Sequence, residues 1–268
     1  MAPAPEMAGW IQANLIAYMR LFAGLPGVEC ADGRVFWLVS GRGAPGDCIL
    51  RADFDPDGAE AGLDGVLAVL AGLGVNEIGW MVFPGDRPAD LGRRLEARGL
   101  RAGRGGNWLW ADLAALPPAP AVPAGFHIER VESEAMLAEW VRVSEEGFGG
   151  SLDLFLPAYA GHGCGAQAFS LHYIGYLDGR PVTSGTLLDA GGGASIYDIS
   201  TPPALRGQGF GGAITYALMQ EIRRRGHRET WIWSSNMAKS LYRSLGYADF
   251  DTGMREYVWR RAASGAGG

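Results

Sequence analysis

The stretch RGQGFGG, residues 206–212, is where this sequence is best equipped to hold a ligand. Gly207, Gly209 and Gly212 fit the G-x-G-x-x-G spacing of a dinucleotide-binding turn. Arg206, Gly209 and Gly211 fit the shorter R-x-x-G-x-[GA] pattern of loops that cradle a pyrophosphate. Glycine reaches the backbone conformations that turn successive N–H groups toward one anion. A helix predicted to start near Gly211 adds its unpaired N–H groups and the positive end of its dipole. Phosphate or pyrophosphate is the expected guest, and a turn that only lets a helix pack closely on a strand is the plainer alternative.

Spacing alone decides little in a chain with 42 glycines, and the shorter pattern recurs at RSLGYA, residues 243–248, which reads as a helix end. Only the first match follows a strand and opens a helix. A dinucleotide fold also needs an acidic residue at the end of the next strand, about 20 residues past the glycines, and further parallel strand–helix units. That strand ends in WIWSS, residues 231–235, and the upstream strands are joined by a hairpin at Asp178-Gly179. The dinucleotide reading fails on both counts.

The elements that position the loop are legible around it. FHIERV reads as a strand, SEAMLAEWVRVSEEG as a helix capped by Ser133, and a second short helix follows from about Leu152. Two alternating strands flank Asp178-Gly179, and SIYDIST is the strand before the loop. FGGAITYALMQEIRRR puts Ile214, Leu218 and Ile222 on one helical face, with Arg223, Arg224 and Arg225 at its C-terminal end. ETWIWSS is then a strand, MAKSLYRSL a helix closed by Gly246, and MREYVWR a last strand.

LPPAPAVPAG, residues 116–125, packs four prolines into ten residues and reads as a linker. The expected division is a first domain at 1–115, the linker, a second domain at 126–261 and a disordered tail at 262–268. The first domain repeats part of the second: IGWMVFPGDRPADLGRRLEARGL parallels ETWIWSSNMAKSLYRSLGY, with Leu95 opposite Tyr242. Its own glycine-rich stretch, SGRGAPGD, lies between two strands and reads as a hairpin turn, with no helix N-terminus behind it.

Residues 126–261 together resemble the GCN5-related N-acetyltransferase (GNAT) superfamily, in the hairpin, the strand before the loop, RGQGFGG, TWIWSS and LYRSLGY. The first domain resembles the degenerate first domain of tandem members. The resemblance implies an α/β (α+β) fold of two GNAT-like domains, each a mixed, mostly antiparallel sheet flanked by helices. It implies acetyl-coenzyme A as cofactor, with the backbone of Ile199, Ser200 and Thr201 beside its pantetheine arm. Its pyrophosphate would lie on Arg206, Gly207, Gln208, Gly209, Phe210, Gly211 and Gly212. The family's cofactor-contacting asparagine falls at Ser235, with Asn236 one position late, and either could serve. Tyr242 matches the tyrosine that protonates the departing thiolate; a tyrosine packed into the sheet is the alternative. As general base Asp198 is the first choice, with the parity of its strand open because a bulge could interrupt it, and an aspartate bonded structurally to a neighbouring strand or loop is the alternative. Glu145, Glu146 and His172 are weaker candidates.

The implied activity is transfer of acetyl to the primary amine of a small molecule or peptide. The alternatives are a non-catalytic coenzyme A sensor, or an aminoacyl-tRNA-dependent transferase on the same fold. A net charge of −6 over 268 residues gives no footprint for nucleic acid or an anionic membrane. Arg93, Arg94, Arg98, Arg101 and Arg104 read as a solvated helix face. Cys30, Cys48 and Cys164 have neither disulfide nor metal-ligand spacing, so no metal is expected. An acidic residue precedes the apolar N-terminal stretch, which argues for an amphipathic helix rather than a signal peptide. A cytoplasmic monomer or homodimer is expected.

Overall fold

Runs of alternating apolar residues become strands here, and runs with apolar residues three and four apart become helices. The computed structural model describes residues 2–261 except Arg104 and Ala166; the expected disordered tail at 262–268 lies outside the described residues. In chain order the first half contains α1 (Met7–Arg20), β1 (Glu29–Asp32), β2 (Val35–Val39), β3 (Cys48–Ala52), α2 (Ala59–Gly72), β4 (Glu77–Val82), α3 (Leu91–Ala97), β5 (Arg101–Ala102) and β6 (Asn107–Asp112). The second contains β7 (Phe126–Arg130), α4 (Glu134–Phe148), α5 (Phe155–His162), β8 (Ser170–Leu177), β9 (Arg180–Ala190), β10 (Gly193–Ser200), α6 (Phe210–Arg224), β11 (Glu229–Ser234), α7 (Lys239–Ser244), β12 (Ala248–Asp249) and β13 (Arg255–Arg260).

Two compact units form, one from residues up to Leu25 plus Gly106–Asp251, the other from Pro26–Gly105 plus the chain from Thr252. The first holds a seven-stranded sheet ordered β12-β6-β11-β10-β9-β8-β7, the second a six-stranded sheet ordered β1-β2-β3-β4-β13-β5. Each is antiparallel except at one junction, β10 with β11 or β3 with β4. The division expected at 116–125 is therefore corrected. α1 and β6 precede that segment yet belong with the elements that follow it, while β13 joins the sheet of the first half. Proline marks where local periodicity breaks, but a strand keeps its alternation whichever sheet it completes.

The strand orders expose the repeat. β8-β9-β10-β11-β6-β12 corresponds to β1-β2-β3-β4-β13-β5, with α6 or α2 bridging the parallel junction and α7 or α3 after the next strand. β6 and β13 hold equivalent places and have exchanged halves. Both sheets are mixed and mostly antiparallel, flanked by helices, as the resemblance implies.

In the first unit Leu109, Ala111, Leu187, Ile196 and Ile232 pack against Leu218, Met219 and Ile222 of α6. The hairpin joining β8 to β9 turns through Asp178 and Gly179, both at positive φ, the requirement of a type I′ turn. α1 is fixed on the same sheet by buried Asn14, whose Nδ2 donates to the carbonyls of Leu188, Ala190 and Gly193 at 3.3, 2.9 and 3.3 Å. In the second unit Ile49, Leu63, Trp80, Leu91 and Leu95 form the core. Arg93, Arg94 and Arg98 there pair with Asp90, Glu60 and Asp64.

Candidate active site

Gly207 and Gly209 take φ of +79° and +89°, and Gly209 is the N-cap of α6. The helix therefore starts at Phe210, one residue before the expected point. Among the described residues the N–H groups of Gln208, Gly209, Phe210, Gly211 and Gly212 donate to no protein acceptor. Five unpaired donors at the end of a 15-residue helix make a cradle for an anion. Glycine is required for more than turning. A Cβ at Gly209 would lie 3.2 Å from the Ala121 carbonyl, and one at Gly212 would lie 3.2 Å from Leu241.

Side chains of the loop do other work. Arg206 donates through Nη2 to the Gly147 carbonyl at 2.7 Å and through Nε to the Thr201 carbonyl at 3.1 Å, bracing the end of α4 against the end of β10. Phe210 is buried and stacks on Phe126 with ring centroids 5.2 Å apart, so only its N–H serves the loop. Gln208 is exposed.

β10 and β11 pair only at Ala194 with Thr230 and Ser195 with Trp231. Beyond those pairs the strands splay, and β11 continues its pairing with β6 as far as Ser234. Ile199 and Ser200 lie in the splayed stretch of β10, and Thr201 follows directly after it. Ile199 packs into the α6-side core. Thr183 Oγ1 donates to the Ser200 carbonyl at 2.7 Å and lies 3.0 Å from Thr201 Oγ1, while Ser200 Oγ donates to the Ser144 carbonyl at 3.3 Å.

A bulge interrupts β10 at Asp198. Tyr197 pairs with Thr186 and Ser200 with Ser184, so three steps on β10 oppose two on β9. The extra residue places Tyr197 and Asp198 on the same face, toward α1, while Ile196 and Ile199 point to the α6 side. Asp198 adopts φ +54°, a left-handed conformation unusual for a residue with a Cβ. Its carboxylate accepts from Tyr159 Oη at 2.7 Å and Tyr18 Oη at 3.0 Å. Burial pushes its pKa up from 3.8 to about 6, against the lowering effect of hydrogen bonds from Tyr159, Tyr18 and Thr186.

Tyr242, on α7, is 5% exposed and sits in the α6-side core, edge-on to Tyr247. Its hydroxyl makes no hydrogen bond among the described residues yet is not sealed from solvent. Burial raises its pKa above the usual phenol value. Tyr242 and Asp198 thus lie on opposite faces of the sheet and are not in contact. Ser235 Oγ accepts from Ala238 N–H at 3.3 Å, and Asn236 Oδ1 accepts from Asn107 Nδ2 at 2.7 Å, tying Asn236 to β6.

Residues 183–259, which include the loop, β11 and Tyr242, match the family model described as FR47-like protein, a GNAT-related family. A comparison with curated proteins finds no significant sequence match. Among solved structures, a GCN5-related N-acetyltransferase from Kribbella flavida superposes with a TM-score of 0.65 at 18% identity, covering 95% of this chain and 97% of that one. A tandem GNAT protein from the clavulanic acid biosynthesis pathway gives 0.62 at 15% identity, covering 98% of each chain. A GCN5-related N-acetyltransferase from Sphaerobacter thermophilus gives 0.60 at 18%, covering 97% of this chain and 94% of that one. The chain has the GNAT fold.

Within this GNAT fold the three weaker base candidates are engaged by other groups. Glu145 accepts from Leu152 N–H at 2.8 Å, which helps delay the start of α5 to Phe155, and Glu146 pairs with Arg142. His172 is buried against Tyr159 at 4.0 Å, with Ser170 and Thr186 at its two ring nitrogens. Desolvation drives its pKa down to about 3, so it is a neutral core residue. Sequence reasoning missed Tyr18 and Tyr159. Tyr18 lies on a helix assigned to the wrong domain, and the buried polar Asn14 one turn earlier was the available signal that this helix docks on something polar. Among the described residues no group of three or more His, Cys, Asp or Glu could hold a metal, and no helix is long and apolar enough to cross a membrane. Among the described residues Cys30, Cys48 and Cys164 form no disulfide.

Proposed function

We propose that this protein transfers an acetyl group from acetyl-coenzyme A to a primary amine of a small molecule or peptide, using the unit that contains α1, β6 and β7 to β12. The observation that carries this reading is the row of unpaired N–H groups at the start of α6, beside the splay of β10 from β11. These residues fit the cofactor: the N–H groups of residues 208–212 suit its pyrophosphate, and the backbone of Ile199, Ser200 and Thr201 suits its extended arm. Ser235 and Asn236 flank the same end of the splay. Arg206 supports the loop as a brace.

When bound, acetyl-coenzyme A supplies a thioester carbonyl open to attack by a neutral amine. Asp198, its pKa raised to about 6 by burial, would attract a cationic acceptor and take its proton to leave the neutral amine, and the second proton released as the amide forms would balance the one the thiolate takes up. A backbone N–H in the irregular stretch between Tyr197 and Ser200 would be placed to polarise the carbonyl. Tyr242, kept protonated by its burial, gives its proton to the departing thiolate. Asp198 and Tyr242 stand on opposite faces of the sheet, and the acceptor amine and the thiolate would meet across the splay of β10 from β11.

The second unit serves as a non-catalytic partner. Its counterpart of the loop, DFDPDG at residues 53–58 ahead of α2, has a single glycine, and its Asp53 and Asp55 are occupied by ion pairs with Arg87 and Arg34. The counterpart of Tyr242, Leu95, has no proton to give.

Thiol release from acetyl-coenzyme A over a panel of primary amines tests the reading. Turnover with at least one amine, slowed roughly 10²-fold in Tyr242→Phe at unchanged cofactor affinity, is expected. Tight cofactor binding with no thiol release from any amine would favour the sensor instead.

A further inference from the structure

The Asp198 cluster is expensive for a purely structural device. It combines a left-handed aspartate, a strand bulge and a half-buried carboxylate. No charged side chain contributes to its ionisation, which is governed by desolvation and by three hydroxyls, those of Tyr159 on α5, Tyr18 on α1 and Thr186 on β9. An unpaired buried carboxylate normally neutralises by taking a proton. Here hydroxyl donors alone oppose that outcome.

The donors are themselves held. Tyr18 stacks on Tyr197 with centroids 4.4 Å apart and planes 10° from parallel. Tyr197 Oη donates to Asn14 Oδ1 at 2.8 Å, and Asn14 Nδ2 is anchored on the turn between β9 and β10. Gly191 and Gly192 in that turn let α1 come close, since a Cβ at either would lie within 2.6–2.7 Å of Asn14 or Trp10. Tyr159 stacks on neutral His172, whose Nδ1 lies 2.9 Å from Thr186 Oγ1. With His172 Nδ1 as donor to Thr186, the threonine hydroxyl is free to donate onward to Asp198. The side chains that act on the carboxylate, Tyr18 on α1, Tyr159 on α5 and Thr186 on β9, are all uncharged hydroxyls.

We propose that Tyr18, 180 residues upstream in sequence, acts with Tyr159 as a positioning residue that holds the Asp198 carboxylate ionised and aimed at the acceptor amine. α1 is then part of the acetyl-transfer site. The inference rests on the reading of Asp198 as base. It adds that the N-terminal helix sets the pH range in which that base works.

Two measurements on the full chain decide it. The first is the Asp198 pKa, read from side-chain carboxyl carbon shifts in the wild type, Tyr18→Phe and Tyr159→Phe without substrate. Each phenylalanine keeps its ring contacts, so each variant is expected to fold, and removal of one donor should raise the Asp198 pKa by about one pH unit. The second is the acid limb of kcat/KM, which should rise by the same amount in each variant and vanish in Asp198→Asn. An Asp198 pKa unmoved by Tyr18→Phe overturns the role of Tyr18, whatever Asp198→Asn does. An acid limb that survives in Asp198→Asn overturns the base reading, whatever the tyrosine variants do.

Discussion

Replacing Asp198 by asparagine should stabilise the protein increasingly as pH rises. Asp198 has a folded-state pKa of about 6 against 3.8 for an unperturbed aspartate. The native state therefore holds this proton more tightly than the unfolded chain. Its contribution to stability is fully present below pH 3.8 and is lost as pH climbs through 6. A displacement of about 2 pH units at ~1.4 kcal/mol each gives a ceiling of about 3 kcal/mol. Asp198 keeps some solvent access, which brings the expected figure nearer 2 kcal/mol. Asparagine does not titrate, so its pH-independent costs, such as the mismatch of its amide with two phenol donors, cancel when the difference between the proteins is followed across pH. Urea unfolding of both at pH 4 to 8 should show that difference moving in favour of Asp198→Asn by about 2 kcal/mol between pH 4 and 7. A difference that stays flat would refute the claim that burial has raised this carboxyl, and a difference moving the other way would mean that the phenols outweigh desolvation.

His172 should give the opposite slope. Its pKa is depressed from 6.5 to about 3, so the wild type loses several kcal/mol as pH falls from 6.5 toward 3, and His172→Gln should flatten that limb in the same titrations. Gly209→Ala should lower coenzyme A affinity at least tenfold by isothermal calorimetry and cost about 1–2 kcal/mol of stability, because φ +89° disfavours a Cβ that would also meet the Ala121 carbonyl. Asn14→Ala should cost about 2–4 kcal/mol, since buried carbonyls of the β9–β10 turn lose their donor and Tyr197 its acceptor. Arg93→Ala should leave the unfolding midpoint essentially unchanged, its ion pair with Asp90 being exposed.

Local features of this fold were legible wherever one stretch of chain carries both the cause and the effect. Ser133 caps α4 through Met136 N–H, Asp178-Gly179 turns the hairpin, and the glycines of RGQGFGG open α6 as their conformational freedom requires. Features set by distant partners were not legible. The exchange of β6 and β13 leaves the alternation of NWLWAD and REYVWR untouched, so nothing local reports which sheet each strand completes. Arg206 fits the loop pattern, yet its hydrogen bonds go to the carbonyls of Gly147 and Thr201, positions that only the tertiary fold brings near. The face to which Asp198 points depends on a single extra residue in β10, whose parity no alternation pattern resolves. Tyr18 belongs to the same class: its partner is 180 residues away.

The central claim is that the start of α6 holds the coenzyme A pyrophosphate. Titrating 15N-labelled protein with coenzyme A, and separately with pantetheine, which lacks that group, while following the amides of Gly207, Gly209, Gly211 and Gly212, tests it most directly. Saturable shifts of these amides with coenzyme A, and little movement with pantetheine, are expected. Amides that stay still at saturating coenzyme A, or that respond only to NAD, would contradict it.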